Sequence, residues 1–340
     1  MYFQNPDKVQ SNNIDTRTYV MRTGDIAFEG HPNKEFKFGR FVANDIGTGV
    51  VSELFPIYRH KQEYDNYYWK NAIQIERVMG PIFAKSITSS GNSSNKLDPN
   101  HFLRQQVFIP KLEEQKKIGL FLKKLDDTIT LHQRKLDQLK ELKKAYLQVI
   151  FPAKDERVPK LRFADFEEEW ELRKLEDLAN KYNNLRIPIT ASKRIYGNTP
   201  YYGANGIQDF VEGYTHDGEF ILVAEDGASN LKDYPVQYVN GKVWVNNHAH
   251  VLQAKRSKAD NKFLMNAIKS INIEPFLVGG GRSKLNSEVM MNLEINTPSK
   301  DEQLKISTLC KQLDDITALY QNKLNQLKNL KKSYLQNMFI

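Results

Sequence analysis

Residues 109–151 and 297–339 align without a gap at a constant offset of 188, and about half of the aligned positions are identical. Self-similarity over so long a run makes the chain two copies of one unit. In the first copy Ile118, Leu122, Leu125, Ile129, Leu136, Leu139, Tyr146 and Ile150 advance by fours and threes. Their counterparts are Ile306, Cys310, Leu313, Thr317, Leu324, Leu327, Tyr334 and Met338. That spacing predicts a coiled-coil seam. Pro110 and Pro298 precede the runs, with Glu113-Glu114 and Asp301-Glu302 in the first turns, where acidic groups suit the helix dipole. Each predicted helix has about 38 residues, roughly 57 Å at 1.5 Å per residue. His132 and Lys143, aligned with Tyr320 and Lys331, place polar groups at seam positions. Such groups cost stability and fix register.

The net charge of +8 and the pI of about 9.2 invite a nucleic-acid reading, but the repeat shows where the charge lies. Residues 109–151 carry ten basic and six acidic groups, and 297–340 carry seven and four. The rest of the chain is nearly neutral, so the excess largely solvates the helices. The 340 residues hold one cysteine, Cys310, which excludes an internal disulfide and points to a reducing compartment. No Cys and His cluster has zinc spacing, so no metal is expected. No apolar run approaches the ~20 residues of a membrane span, and the opening Met1 to Lys8 lacks a signal peptide's apolar segment. A cytoplasmic soluble protein without membrane contact is expected.

Four segments result: 1–108, 109–151, 152–296 and 297–340. The third opens with Val158-Pro159-Lys160-Leu161-Arg162-Phe163 and Trp170, followed by a short helix through Leu175 and Leu178. Strand-like runs follow at Tyr201 to Gly206, Phe220 to Val223, Val236 to Val239 and Val243 to Val245, with Asn240-Gly241 as a hairpin turn and a helix from Phe263 to Ile271. The fold class is α+β: two mixed globular parts, joined and followed by two long helices forming an antiparallel coiled coil. The first globular part shares the end of the second (Gly91 with Gly279, Lys96-Leu97 with Lys284-Leu285) but lacks counterparts of Leu161, Trp170 and Leu175. It reads as shortened at its N-terminus.

Two variable globular parts, each followed by a near-identical helix that starts at Glu114-Gln115 or Glu302-Gln303, resemble the specificity subunit of type I restriction-modification systems. The motifs carrying the resemblance are Leu125-Asp126-Asp127 with Leu313-Asp314-Asp315, and Lys143 to Gln148 with Lys331 to Gln336. Two more are Val158 to Phe163 with Trp170, and Asp226-Gly227-Ala228 running to Trp244 and His250. The resemblance implies two target recognition domains reading the halves of a split site on double-stranded DNA, with the helices as spacer. It implies no catalysis and no cofactor of the chain's own. S-adenosylmethionine, ATP and Mg are expected on partners: two methyltransferase subunits and the restriction-translocase subunits. Leu131, Leu142 and Leu147, with Leu319, Leu330 and Leu335, are the expected docking residues for the methyltransferases.

Reading a base needs Arg or Lys for guanine and Asn or Gln for adenine, whereas phosphate contacts need only charge or donors at loop tips. Candidates in the second globular part are Tyr201, Tyr202, Asn205, Ser229, Asn230, Lys232, Arg282 and Lys284. In the first they are His31, Asn33, Lys34, Arg40, Asn95 and Lys96. His248 and His250 alternate on one strand face but lack a third ligand and read as hydrogen-bonded histidines. Gly279 to Arg282 lacks the Lys-Ser/Thr of a phosphate loop. Asp25 with Glu35-Phe36-Lys37 has the form of a nuclease site, though such triplets arise by chance in a chain this charged. Two other readings stand beside DNA recognition: a truncated subunit acting only as a docking or oligomerising fragment, and a self-sufficient nuclease. Sequence upstream of Met1 matching the Val158 to Trp170 opening is the observation that bears on the first of these.

Overall fold

A computed structural model describes residues 18–52, 54–90, 94–153, 155–280 and 283–339. Its contacts group into two units, one of the chain up to Lys135 with Tyr320 onward, the other from Leu136 to Leu319. The expected segments separate heads from helices, whereas each observed unit combines a head with half of each long helix.

In the first unit, β1 (Thr18–Met21), β2 (Ile26–Glu29), β3 (Arg40–Ala43), β4 (Gly49–Ser52) and β5 (Ile57–Tyr58) form a β1-β4 pair and a three-stranded β3-β2-β5 sheet, all antiparallel. Helix α1 (Asn66–Ala72) starts at Asp65, whose carboxylate accepts the Tyr68 N–H, as an N-cap should. There follow α2 (Glu76–Ser86), the hairpin of β6 (Ile87–Ser90) and β7 (Asn95–Leu97), and α3 (Pro99–Leu103), capped by Asp98. Phe28, Phe41 and Phe83 fill the core with ring centroids 5.3–5.4 Å apart. Helix α4 (Leu112–Ile150) then begins in this unit and ends in the other.

In the second unit, β8 (Glu171–Lys174) leads into α5 (Leu175–Leu178) and β9 (Ala179–Lys181). The main sheet adds β10 (Tyr196–Gly203), β11 (Gly206–Val211), β12 (His216–Ala224), β13 (Val236–Val245) and β14 (Ala249–Ala254) in the order β11-β10-β13-β12-β14-β9. Only the β10-β13 pair is parallel. Helix α6 (Asn261–Ser270), capped by Asp260, covers one face, its Phe263, Leu264 and Ile268 fully buried. The small β15-β16 pair (Leu277–Val278, Lys284–Leu285), α7 (Ser287–Met291) and β17 (Glu294–Thr297), paired antiparallel with β8, lead into α8 (Lys300–Met338). The α+β reading holds. The turn at Asn240-Gly241 does not: both lie inside β13, opposite Glu219 and Gly218 of β12, because β13 pairs with β12 continuously from Val236 to Val243. The tight turn falls instead at Ala204-Asn205, before Gly206 at φ +115°.

Within each unit the two helix halves run antiparallel. In the first, Phe121 meets Tyr334 at 4.9 Å, Asp126 meets Lys331 at 2.6 Å and His132 meets Tyr320 at 5.8 Å. In the second, Lys143 meets Asp314 at 2.5 Å. The polar seam lysines therefore bind the Asp of the repeated Leu-Asp-Asp, the same pair in both units at the 188 offset. Leu122, Leu125, Leu136 and Leu139 are buried as the seam requires. Full burial of one such side chain contributes about 1.5–3 kcal/mol.

The repeated Glu-Gln joins helix to head. Gln115 is buried, donates to the Pro110 carbonyl (2.9 Å) and accepts from the N–H of the cap residue Asp65 (3.2 Å). Gln303 does the same with Pro298 (3.0 Å) and Asp260 (3.0 Å) and also donates to Lys258. Glu302, 1% exposed, takes both arms of Arg162 at 2.8 and 2.9 Å. Nearby, Trp170 is buried between Phe151 and Phe263.

Candidate nucleic-acid interface

The sheet of the second unit ends in a charged knot that holds a loop outward. Just past β12, Glu225 receives Arg186 at 2.6 Å and Lys284 at 2.8 Å, with His250 Nδ1 3.4 Å away. Burial alone would raise the Glu225 carboxyl, but the hydrogen bonds of Lys284 and Arg186 outweigh it and hold the group below its usual value. His250 is 1% exposed. Its Nε2 donates to the Leu285 carbonyl (2.9 Å), and Nδ1 accepts from Asn183 (2.9 Å). Desolvation pushes this imidazole below its ordinary value, so it stays neutral. His248, in the turn before β14 rather than on the strand, bonds Asp226 at 2.5 Å. The two histidines thus anchor the loop root, and no metal-holding cluster occurs among the described residues. The motif from Asp226 to His250 is a brace for residues 226–233.

The loop itself is held from below. Asn205, in the β10-β11 turn, donates to the Gly227 carbonyl (2.9 Å) and accepts the Ser229 N–H (2.8 Å). Asn230 folds back onto the N–H groups of Lys232 and Asp233. Ser229, Asn230 and Lys232 are exposed, and Lys284 stands half-exposed at the root, its side chain on Glu225 and its backbone in an isolated antiparallel bridge with Asp226. The structure therefore brings Asn205, Ser229, Asn230, Lys232 and Lys284 onto one rim, with donors and charge at the tip. Tyr201 does not join it. Its side chain is 1% exposed, stacked under Arg194 at 4.2 Å with its hydroxyl on the Ile189 backbone, so it is a core residue. Tyr202 is half-buried against the Val245 cluster. Arg282 lies outside the described residues.

In the first unit, Asn33 holds a turn by accepting the N–H groups of Glu35 and Phe36, leaving His31 and Lys34 exposed. The Asn95 N–H donates to the Gly30 carbonyl, which sets Asn95 and exposed Lys96 beside that turn. Arg40 is tied to Glu29 at 3.0 Å. They are the polar residues of the strand ends and turns around Gly30. Asp25 is 2% exposed and gripped by Arg59 at 2.6 and 2.7 Å, which holds its carboxyl below the usual range.

On the helices, Leu131 and Leu319 are 65% and 66% exposed, and Leu142 and Leu330 are both 44% exposed. Leu147 and Leu335 are half-buried and pack against the cores of their units, so they offer less free surface than the other four. Sequence reasoning missed Arg186, Asn183 and Glu225. Only Glu225 carried a signal, its position directly before Asp226-Gly227.

A sequence profile described as the type I restriction modification DNA specificity domain matches residues 51–141 and 167–329. A Haemophilus influenzae protein catalogued as a type I restriction enzyme specificity subunit is 46% identical over 153 residues, which are 45% of this chain and 38% of that protein. The match thus spans well under half of the relative's length. A Methanocaldococcus jannaschii protein catalogued as the MjaX specificity subunit is 21% identical over 94% of this chain and 79% of its own length. The crystal structure of a type I restriction-modification S subunit from M. genitalium shares the fold, with a TM-score of 0.62 and 14% identity over 95% of this chain and 84% of that one.

Proposed function

We propose, from the premise that this chain belongs to the type I restriction-modification DNA specificity family, that it reads a two-part DNA sequence and directs partner subunits to it. The rim formed by Asn205, Ser229, Asn230, Lys232 and Lys284 faces one half of the site. The group of His31, Asn33, Lys34, Arg40, Asn95 and Lys96 faces the other. Asn230 and Lys232 are the side chains suited to base edges, while Ser229 and Lys284 suit phosphates. The exposed leucines at 131, 142, 319 and 330 dock two methyltransferase subunits, which bring S-adenosylmethionine. Restriction-translocase subunits bring ATP and Mg, and the chain itself carries no catalytic group. It works in the cytoplasm, in keeping with described helices that are not long and apolar enough to cross a membrane. The observation that carries the reading is the loop 226–233, exposed at its tip and braced at its root by Glu225, His250 and Asn205.

Reconstitution with methyltransferase subunits, followed by footprinting across a salt series, tests it. Protection of a bipartite sequence with affinity falling steeply in salt is expected. Asn230→Ala and Lys232→Ala each lose about 1–3 kcal/mol of discrimination at one half-site if they meet bases. Binding without sequence preference overturns the reading. A second reading, a docking or oligomerising fragment without full site recognition, draws on the uncovered surface of the first unit, where Phe108 is 97% exposed. Methylation mapping separates the two: a fragment leaves no mark at a two-part site, or a symmetric mark if two copies pair.

A further inference from the structure

Helices α1 and α6 are counterparts. Asp65-Asn66 and Asn71-Ala72-Ile73 match Asp260-Asn261 and Asn266-Ala267-Ile268 in the same spacing, and Gln115 and Gln303 hold the two caps alike. Two positions on these helices differ in charge. Tyr67 stands where the second unit has Lys262, and Gln74 stands where it has Lys269. In the first unit the Tyr67 hydroxyl donates to Asp126 (2.7 Å), which also takes Lys331 and is 24% exposed. Asp314, the matching aspartate of the second unit, takes Lys143 but no tyrosine, and is 46% exposed.

In place of the tyrosine the second unit has an open cavity of about 430 Å³, lined in part by Lys143, Gln237, Lys262, Asn266, Lys269 and Lys311. Lys143 and Lys311 are matched by Asp314 and Asp315. The other two lysines are not. Lys262 lies over the Tyr238 ring at 5.1 Å, and Lys269, half-buried, makes no hydrogen bond or ion pair among the described residues. Burial and the nearby Lys143 push the Lys269 ammonium below its usual value, against the pull of Asp314 and Asp233. Between the two lysines Asn266, 1% exposed, donates to the Lys262 carbonyl (2.8 Å), and its Oδ1 has no partner among the described residues. A spacing of seven residues puts both lysines on one face of α6, about 10 Å apart along its axis. Cations held in a cavity without partners cost desolvation that an anion between them would offset.

We propose that this cavity is a phosphate site, with Lys262 and Lys269 as its two cations and Asn266 Oδ1 accepting from a bound water or a phosphate O–H. Lysine meets phosphate as a compact point charge on a flexible stem, so two of them on one helix face can close on the group from both sides. The phosphate belongs to a DNA backbone or to a free phosphate-bearing molecule. The first source rests on the DNA reading above, and adjacency favours it. Gln237 in the cavity wall also backs Gly206, next to Asn205 of the rim, and Asp233 near Lys269 ends the loop 226–233.

Both sources are tested on the full chain with three variants. Lys262→Gln with Lys269→Gln removes the cations, and Lys262→Tyr copies the first unit and fills the cavity. Lys135→Gln with Lys140→Gln removes the same charge from exposed helix surface. In thermal melts, inorganic phosphate compared with chloride at equal ionic strength should raise the midpoint of the unaltered chain and of the exposed-lysine variant saturably. The two cavity variants should need about tenfold more phosphate or fail to respond. In the complex with methyltransferase subunits, DNA affinity should fall about tenfold for the Lys262 and Lys269 pair, alike for all sequences, with a salt slope reduced by about 2. A response in the melts alone assigns a free ligand, one in DNA affinity alone assigns the backbone, and either supports the site. The proposal is overturned if phosphate acts alike on all variants and DNA affinity falls no more for the cavity pair than for the exposed pair. It is also overturned if the cavity variants lose only the methyltransferase subunits, which assigns the lysines to an acidic protein surface. DNA binding without sequence preference defeats the DNA reading and leaves the phosphate melts to decide the site.

Discussion

Gln303 shows how much one uncharged side chain can hold. It bonds Asp260, Lys258 and Pro298 from inside the protein, at 1% exposure. Gln303→Leu keeps the volume but strands those backbone groups, at about 1–3 kcal/mol for each one left unmatched. A loss of about 2–4 kcal/mol is expected, read as a lower urea midpoint at unchanged slope. Arg162→Ala leaves Glu302 as a buried unpaired charge and costs about 3–5 kcal/mol, whereas Arg162→Met with Glu302→Leu costs less. Equal losses for the single and double variants would contradict the buried-pair account. The acid response follows from Glu225 and His250, both shifted down in the folded chain. A depressed carboxyl stabilises above its unfolded value and loses that as pH falls through its folded one. A histidine held neutral loses stability in the same direction, beginning near its unfolded value of about 6.5. Denaturation midpoints should thus fall as the pH drops below about 7. His250→Gln should flatten the part of that fall between about pH 7 and 5, and an unchanged slope there would exclude His250 as its source.

At the scale of elements, the paired helix halves carry the same lock twice, Lys143 with Asp314 and Lys331 with Asp126. Lys143 is 16% exposed but Asp314 is 46% exposed, so the coupling is modest, about 1 kcal/mol. Lys143→Asp should lower stability and Asp314→Lys should restore it in a double-mutant cycle, whereas additive losses would show that the lysine only packs. These helices were legible from periodicity because a seam is a local pattern, and α6 was legible from Phe263 to Ile271 for the same reason. The lock was not: Lys143 looked like an interruption, because its aspartate lies 171 residues away. Asn240-Gly241 failed as a turn because the β12 partner on both sides of it, from Val236 to Val243, outweighs a dipeptide preference. In the candidate interface, loop residues such as Ser229 and Lys232 were placed correctly as exposed. Tyr201 reads from sequence equally as a DNA contact or a packing residue, and only its long-range partners Arg194 and Ile189, which no short-range pattern ties to it, decide for packing.

For the whole molecule, the two units share helices rather than follow one another. The N-terminal half of α8 supplies Ile306 and Cys310 to the core of the second unit, where burial pushes the Cys310 thiol up to about 11 and keeps it inert. The far end supplies Leu335, Met338 and Phe339 to the cluster around Tyr68 in the first. Chain order therefore misleads about independence: residues 1–151 hold a head and a complete helix, yet the first unit also needs residues beyond Tyr320. Deleting 297–340 should accordingly loosen both heads. Hydrogen exchange would show lost protection in α1, whose Tyr68 packs on Phe339, as well as in α6, whose cap Asp260 is held by Gln303. If the heads were independent beads, the deletion would leave α1 protected as in the full chain, and that outcome would refute the shared-helix account. Stopping the chain after Leu319 sharpens the contrast, since the second unit keeps every residue it uses while the first loses its 320–339 half. Protection should then persist in α6 and fail in α1.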